Sequence, residues 1–125
     1  MNIQDMIHFY GTKNINETHA FYTEILGLKM SLDQGKCQLY ECREHSYVGF
    51  CEHLEVLNTY KSPILTFVLD DIDGMYSHLM KNWVVNEPPS INEKFQLYHF
   101  FILDNNGYTI EFQRFLNPRW NQTNF

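Results

Sequence analysis

One carboxylate stands out for its setting. In the alternating run Thr109-Ile110-Glu111-Phe112-Gln113, Thr109, Glu111 and Gln113 share one face of a strand and Ile110 and Phe112 the other, since side chains alternate with a period of two. A carboxylate and an amide on one face of a sheet can ligate a metal ion or take up a proton. Asp104-Asn105-Asn106-Gly107 leads into this strand, and Asn and Gly accept the positive φ of a tight turn at low cost. Other donors of similar chemistry are His8, His99, and Glu52 and His53 within Cys51-Glu52-His53. His8 or His99, with His53, Glu52 and Glu111, would form a set suited to Fe(II), Mn(II), Ni(II) or Zn(II). The six histidines show no H-x-H or H-E-x-x-H spacing, and a lone histidine is more often a hydrogen-bonded structural residue.

The elements that would carry these groups occur twice. A strand over 6–12 leads through Lys13-Asn14 to a helix over 16–26, with Ile15, Thr18, His19, Tyr22, Ile25 and Leu26 at helical spacing and Gly27 as a C-cap. A strand over 64–69 leads through Asp70-Asp71 to a helix over 72–82, whose stripe is Ile72, Met75, Tyr76, Leu79, Met80 and Trp83. An offset of 57 superposes Ile15 on Ile72, Asn14 on Asp71 and Tyr22 on Leu79. Strands are expected over 28–32, 37–42 and 47–53 after the first helix, and over 84–85, 98–103 and 109–115 after the second. The pattern is a β-α-β-β-β unit used twice, in one domain with modules at about 4–57 and 62–116 and a tail over 117–125. Residues 88–93 read as a loop and candidate lid, and Trp120 as a tail residue that tucks against this chain or a partner.

Composition narrows the function classes. With 125 residues, 44% hydrophobic and 16% aromatic, the chain can bury a real core. Its net charge of −6 disfavours nucleic acid. No apolar run is long enough to span a bilayer, and the start lacks the pattern of a signal peptide, so a cytoplasmic protein without a membrane partner is expected. Cys37, Cys42 and Cys51 are odd in number and lack framework-like spacing, so reduced thiols are expected. A strand cysteine is usually a small core residue; a reactive thiol at Cys51 is the sharper alternative.

Three motifs carry a family resemblance over about residues 6–115. Phe21-Tyr22-Thr23-Glu24-Ile25-Leu26-Gly27-Leu28 resembles the helix end of the vicinal-oxygen-chelate superfamily, which includes glyoxalase I, extradiol dioxygenases, fosfomycin-modifying enzymes, epimerases and bleomycin-sequestering proteins. Leu69-Asp70-Asp71-Ile72-Asp73 is similar to its mid-chain strand-to-helix junction. Asp104-Asn105-Asn106-Gly107-Tyr108-Thr109-Ile110-Glu111 resembles its C-terminal hairpin, with Asn-Asn in place of Pro-Asp. The resemblance implies an α+β fold of two βαβββ modules forming a curved mixed sheet with a concave cup, and a homodimer.

It also implies metal ligands from the first and last strands of each module. Glu111 matches the last of these, whereas Ile7 and Ile64 fall where first-strand ligands are expected, and neither can bind a metal. A register shifted by one residue would instead face His8, Tyr10 and Thr12 into the cup; the repeat pairs His8 with Leu65 and Tyr10 with Phe67, both core-like. The expected lining is Ile7, Phe9, Phe50, Ile64, Thr66, Val68, His99, Phe101, Glu111 and Gln113, with Glu111 the one catalytic candidate. The favoured expectation is a protein without a metal cofactor that binds a small apolar or aromatic molecule in the cup. The alternative is a divalent-metal lyase, isomerase or ring-cleaving dioxygenase using His8, His53, His99 and Glu111. A third reading is metal-free acid–base catalysis by Glu111.

Overall fold

The computed structural model describes residues 1–117; Trp120 and its expected docking lie outside them. The described residues form two compact units, 1–58 and 59–117.

In the first unit, β1 (Met6–Gly11) is followed by α1 (Ile15–Ala20), which runs into a π-helical turn (Phe21–Ile25), and then by β2 (Lys29–Asp33), β3 (Cys37–Arg43) and β4 (Ser46–Cys51). The sheet order is β1-β4-β3-β2, with β1 parallel to β4 and the other pairs antiparallel. The second unit repeats this plan with β5 (Ile64–Val68), α2 (Ile72–Asn82), β6 (Ser90–Asn92), β7 (Leu97–Leu103) and β8 (Thr109–Phe115), in the order β5-β8-β7-β6. The duplication read from sequence is therefore the architecture: two four-stranded mixed sheets and two helices.

Both helices start by the same device. The Asn14 side chain accepts the Glu17 N–H at 3.0 Å and the Asp71 side chain accepts the Gly74 N–H at 2.9 Å, each satisfying an amide that the first helical turn leaves unpaired. The first helix ends wide: the Leu26 N–H reaches the Phe21 carbonyl and the Leu28 N–H the Tyr22 carbonyl, with Gly27 at φ 77° between them.

The cores also correspond. Tyr10 stacks on Phe50 with ring centroids 5.7 Å apart, and their counterparts Phe67 and Phe112 stack at 5.9 Å. Phe50 also meets Tyr22 of the helix segment at 4.6 Å, and Phe100 of β7 meets Tyr76 of α2 at 5.7 Å. Burial raises the Tyr40 hydroxyl to about 12, with Asp33 adding to the shift, so this core phenol stays neutral and hydrogen-bonds to Gln38 and His19.

Two local expectations need correction. Residues 90–92 form β6, paired with β7 from Ser90↔His99 to Asn92↔Leu97, so the lid expected over 88–93 is partly a sheet edge. Residues 84–85 form no strand. A strand pairs only where a partner edge is free, and Ile91, too short a signal beside two prolines, is what finds one.

Candidate functional site

Each sheet has a face packed on its helix and an open face. In the second unit the register aligns Thr66 with Glu111 and Val68 with Gln113, and Phe101 with Glu111 and His99 with Gln113. Paired residues in a sheet point to the same side, so Ile64, Thr66, Val68, His99, Phe101, Glu111 and Gln113 share the open face. The turn that sets this register is as read from sequence: Asp104 Oδ1 accepts the Asn106 and Tyr108 N–H groups at 2.8 and 2.9 Å, and Gly107 takes φ 85°.

Glu111 is nearly enclosed, at 8% exposure, and its carboxylate is held from three sides. Thr66 Oγ1 donates to Oε1 at 2.8 Å. His99 Nδ1 lies 2.6 Å from Oε2, within charge-assisted hydrogen-bond range. Gln113, in the amide orientation that suits its neighbours, donates to both oxygens at 3.2 and 3.0 Å. The arrangement orients the imidazole: with Nδ1–H given to Glu111, Nε2 is left as an acceptor.

His99 also forms part of the wall of a cleft of about 540 Å³, with Phe101, Thr109 and Ser90 from the sheet and Tyr60, Lys61, Trp83, Val84, Asn86, Glu87 and Pro88 from the segments beside it. Such a volume suits a small organic ligand. Glu111 is not in the wall; His99 is its link to the cleft. Lys61 is the notable newcomer. It sits at φ 54°, its N–H donates to Thr109 Oγ1 at 3.2 Å, and its Nζ lies 4.2 Å from the Phe101 ring centroid, a cation–π distance. Trp83 is fixed by Nε1–H donation to the Leu103 carbonyl at 2.8 Å. Sequence reading missed both as site residues. Trp83 was absorbed into the α2 stripe, and Lys61 sits in a connector with no periodic signal.

The first unit places its candidates differently. Ile7 pairs with Tyr47 and Phe9 with Gly49, and both lie on the open face, at 40% and 50% exposure. His8 pairs with Val48 and Tyr10 with Phe50, so both belong to the helix-side face; the shifted register is not adopted. Phe50 must be corrected too. It is fully buried among Tyr10, Tyr22 and Tyr40, one residue out of phase with Gly49, and cannot line an open face.

A metal centre from His8, His53, His99 and Glu111 finds little support in this arrangement. His8 is on the helix side of its sheet, His53 Nδ1 is 3.6 Å from Cys37 Sγ, and Glu52 Oε2 accepts the Ile15 N–H at 3.3 Å. Within the second unit His99 and Glu111 are brought together, and they engage each other. Ile7 and Ile64, at the positions where the resemblance expects ligands, offer no donor atoms. Ile7 and Ile64 therefore cannot supply the first-strand ligands that the resemblance implies.

Among the described residues one group of three His, Cys, Asp or Glu has metal-like spacing: Cys37, Cys51 and His53, with donor atoms within 4.8 Å of one another. Cys37 and Cys51 are joined in a disulfide, which overturns the expectation of three reduced thiols. Strand pairing brings two cysteines 14 residues apart face to face, which counting cysteines cannot reveal. Cys42 remains a thiol, and burial raises its pKa.

No protein-family model matches the chain, and no curated protein does. Solved structures do. The chain is similar to a glyoxalase/bleomycin resistance protein/dioxygenase from Nocardioides (15% identity, TM-score 0.73, covering 94% of this chain and 87% of that one). It is likewise similar to the fosfomycin resistance protein FosX of Listeria monocytogenes (15%, 0.72, 91% and 94%). A third is a lactoylglutathione lyase from Agrobacterium tumefaciens (18%, 0.71, 93% and 95%). These likenesses establish the fold as that of the glyoxalase/bleomycin resistance/dioxygenase proteins. No helix among the described residues is long and apolar enough to cross a membrane.

Proposed function

We propose that this chain, built on the glyoxalase/bleomycin resistance/dioxygenase fold, binds a small, flat or apolar organic molecule in the cleft of its second unit, without a metal centre. The observation that carries this reading is the wiring of Glu111: its carboxylate is taken up by Thr66, His99 and Gln113 and serves to fix the imidazole in the cleft wall. Phe101 and Trp83 supply aromatic faces for stacking, and His99 Nε2 and the Lys61 ammonium supply polar anchors. A homodimer, as the resemblance implies, and a cytoplasmic location are part of the same proposal.

Calorimetric titration with a naphthalene carboxylate as probe tests it, alongside metal analysis of protein purified without chelator. Saturable binding is expected, weakened about tenfold by Phe101→Ala, about 1.4 kcal/mol, with no stoichiometric metal. One equivalent of divalent metal that disappears in Glu111→Ala would overturn the metal-free reading; binding indifferent to Phe101→Ala would overturn the cleft.

A second reading rests on the 2.6 Å contact between His99 and Glu111. A carboxylate that holds one imidazole nitrogen leaves the other oriented as a general base, so the same cleft can abstract a proton from a bound ligand. Under that reading His99→Gln lowers any turnover found by substrate screening at least about a hundredfold, far more than it weakens binding; under the binding reading no substrate is turned over.

A further inference from the structure

The disulfide in the first unit is asymmetric in a way that bears on reactivity. Cys37 on β3 and Cys51 on β4 are direct cross-strand partners, with Cα atoms 4.1 Å apart. The Glu52 N–H donates to the Lys36 carbonyl at 2.8 Å, which makes 37/51 a non-hydrogen-bonded pair, the kind in which side chains come closest. Cys51 is buried at 2% exposure, whereas Cys37 is half-buried. An exposed imidazole, His53, stands beside the more open sulfur, with Nδ1 3.6 Å from Cys37 Sγ. One accessible sulfur flanked by an imidazole and one shielded sulfur behind it are the parts of an attacking and a resolving thiol.

We propose that Cys37, Cys51 and His53 form a reversible thiol–disulfide site that exchanges with low-molecular-weight thiols and their disulfides, with Cys37 as the sulfur that reacts with them. For reduction, a small thiolate attacks Cys37 Sγ. The Cys37–Cys51 bond breaks and its electron pair leaves on Cys51 Sγ, which takes up a proton. A second small thiolate attacks the outer sulfur of the resulting mixed disulfide, releasing the small disulfide and the Cys37 thiolate, which an N–H of the neighbouring His53 ring stabilises by hydrogen bonding. The balance is one protein disulfide and two small thiols giving two protein thiols and one small disulfide. Oxidation runs the same steps backwards. Cys42 takes no part, for it has no partner sulfur and burial disfavours its thiolate.

The test uses the full chain equilibrated in mixtures of reduced and oxidised glutathione, quenched in acid, alkylated and mapped by mass spectrometry. Cys37 and Cys51 are expected to gain and lose label together as a two-thiol couple, with any transient glutathione adduct of the unaltered protein at Cys37. Cys51→Ser is expected to accumulate that adduct at Cys37 about tenfold faster than Cys37→Ser does at Cys51. His53→Ala is expected to slow it about tenfold at neutral pH, with the gap closing above about pH 9, where the thiolate forms unaided. Adduct formation at Cys51 at an equal or greater rate would overturn the assignment. So would a pair that stays fully oxidised or fully reduced at every glutathione ratio in the folded protein, a result that needs no variant at all.

Discussion

Gly49 and Glu111 occupy the same place in two copies of one plan. Phe9 and Leu39 flank Gly49 in the register of the first sheet, as Thr66 and Phe101 flank Glu111 in the second. By the same correspondence the Cys37–Cys51 pair stands where the second unit has His99 and Gln113. The helix-side faces kept their rings, with Tyr10–Phe50 matching Phe67–Phe112, while the open faces diverged. One became apolar with a disulfide; the other became a hydrogen-bonded carboxylate–imidazole cluster. The helix side must fill a fixed volume at near-crystalline density, which restrains change. The opposite faces are where the two units differ in chemistry, a disulfide in one and a carboxylate–imidazole cluster in the other.

The hardest way to break this comparison is to transplant its key residue. A Cβ at Gly49 would lie 2.6 Å from Leu39 Cδ2 and 2.7 Å from two Phe9 ring carbons. Gly49→Glu is therefore expected to cost about 4 kcal/mol in denaturant unfolding, through overpacking and a poorly solvated charge. Next come the matched core rings: Phe50→Ala and Phe112→Ala should each cost about 3–5 kcal/mol. A gap of more than about 2 kcal/mol between them would mean that the two helix-side faces are not equivalent supports. Reduction of the disulfide, or Cys37→Ser, should cost about 3 kcal/mol in denaturant unfolding, as expected for a loop of this length. Asn14→Ala and Asp71→Ala should each cost about 1 kcal/mol, equal if the caps are interchangeable.

The smallest effect lies in the β3–β4 turn. His45 is raised above its ordinary 6.5, chiefly by its hydrogen bond to Asp5. A raised folded-state value means that this pair's support is present below the ordinary value and is lost as pH rises through the raised one. Asp5→Asn should flatten that slope in the neutral range. The corresponding turn of the second unit holds Asp104 with backbone N–H donors instead and should show no such slope.

Much of this was legible in the residues. The strand Thr109–Phe115 and the helix Ile72–Asn82 have the expected bounds, because strong periodicity and a clear turn or cap marked their ends. Residues 84–85 and 90–92 were misread because short apolar runs beside prolines carry little pattern, and pairing with β7 settled the matter. In the site, alternation along single strands placed Ile64, Thr66, Val68, His99, Phe101, Glu111 and Gln113 on one face. Phe50 was placed on the wrong face of its own strand, where neighbouring Gly49 hides the alternation by lacking a side chain. Lys61 and Trp83 lay beyond reach, since they enter the cleft from a connector and from the end of a helix.

The sequence by itself determined the duplicated βαβββ plan, its turns and caps, and the isolation of Glu111 as a carboxylate on an open face, because these depend on contacts within a few residues. Tertiary structure alone decided which groups meet that carboxylate. It turned Thr66, 45 residues away, and His99, 12 residues away, toward Glu111, and closed Cys37 onto Cys51. Strand register brings such partners together, and register is set by whole faces packing on a helix, a property of the sheet that no local run of residues contains.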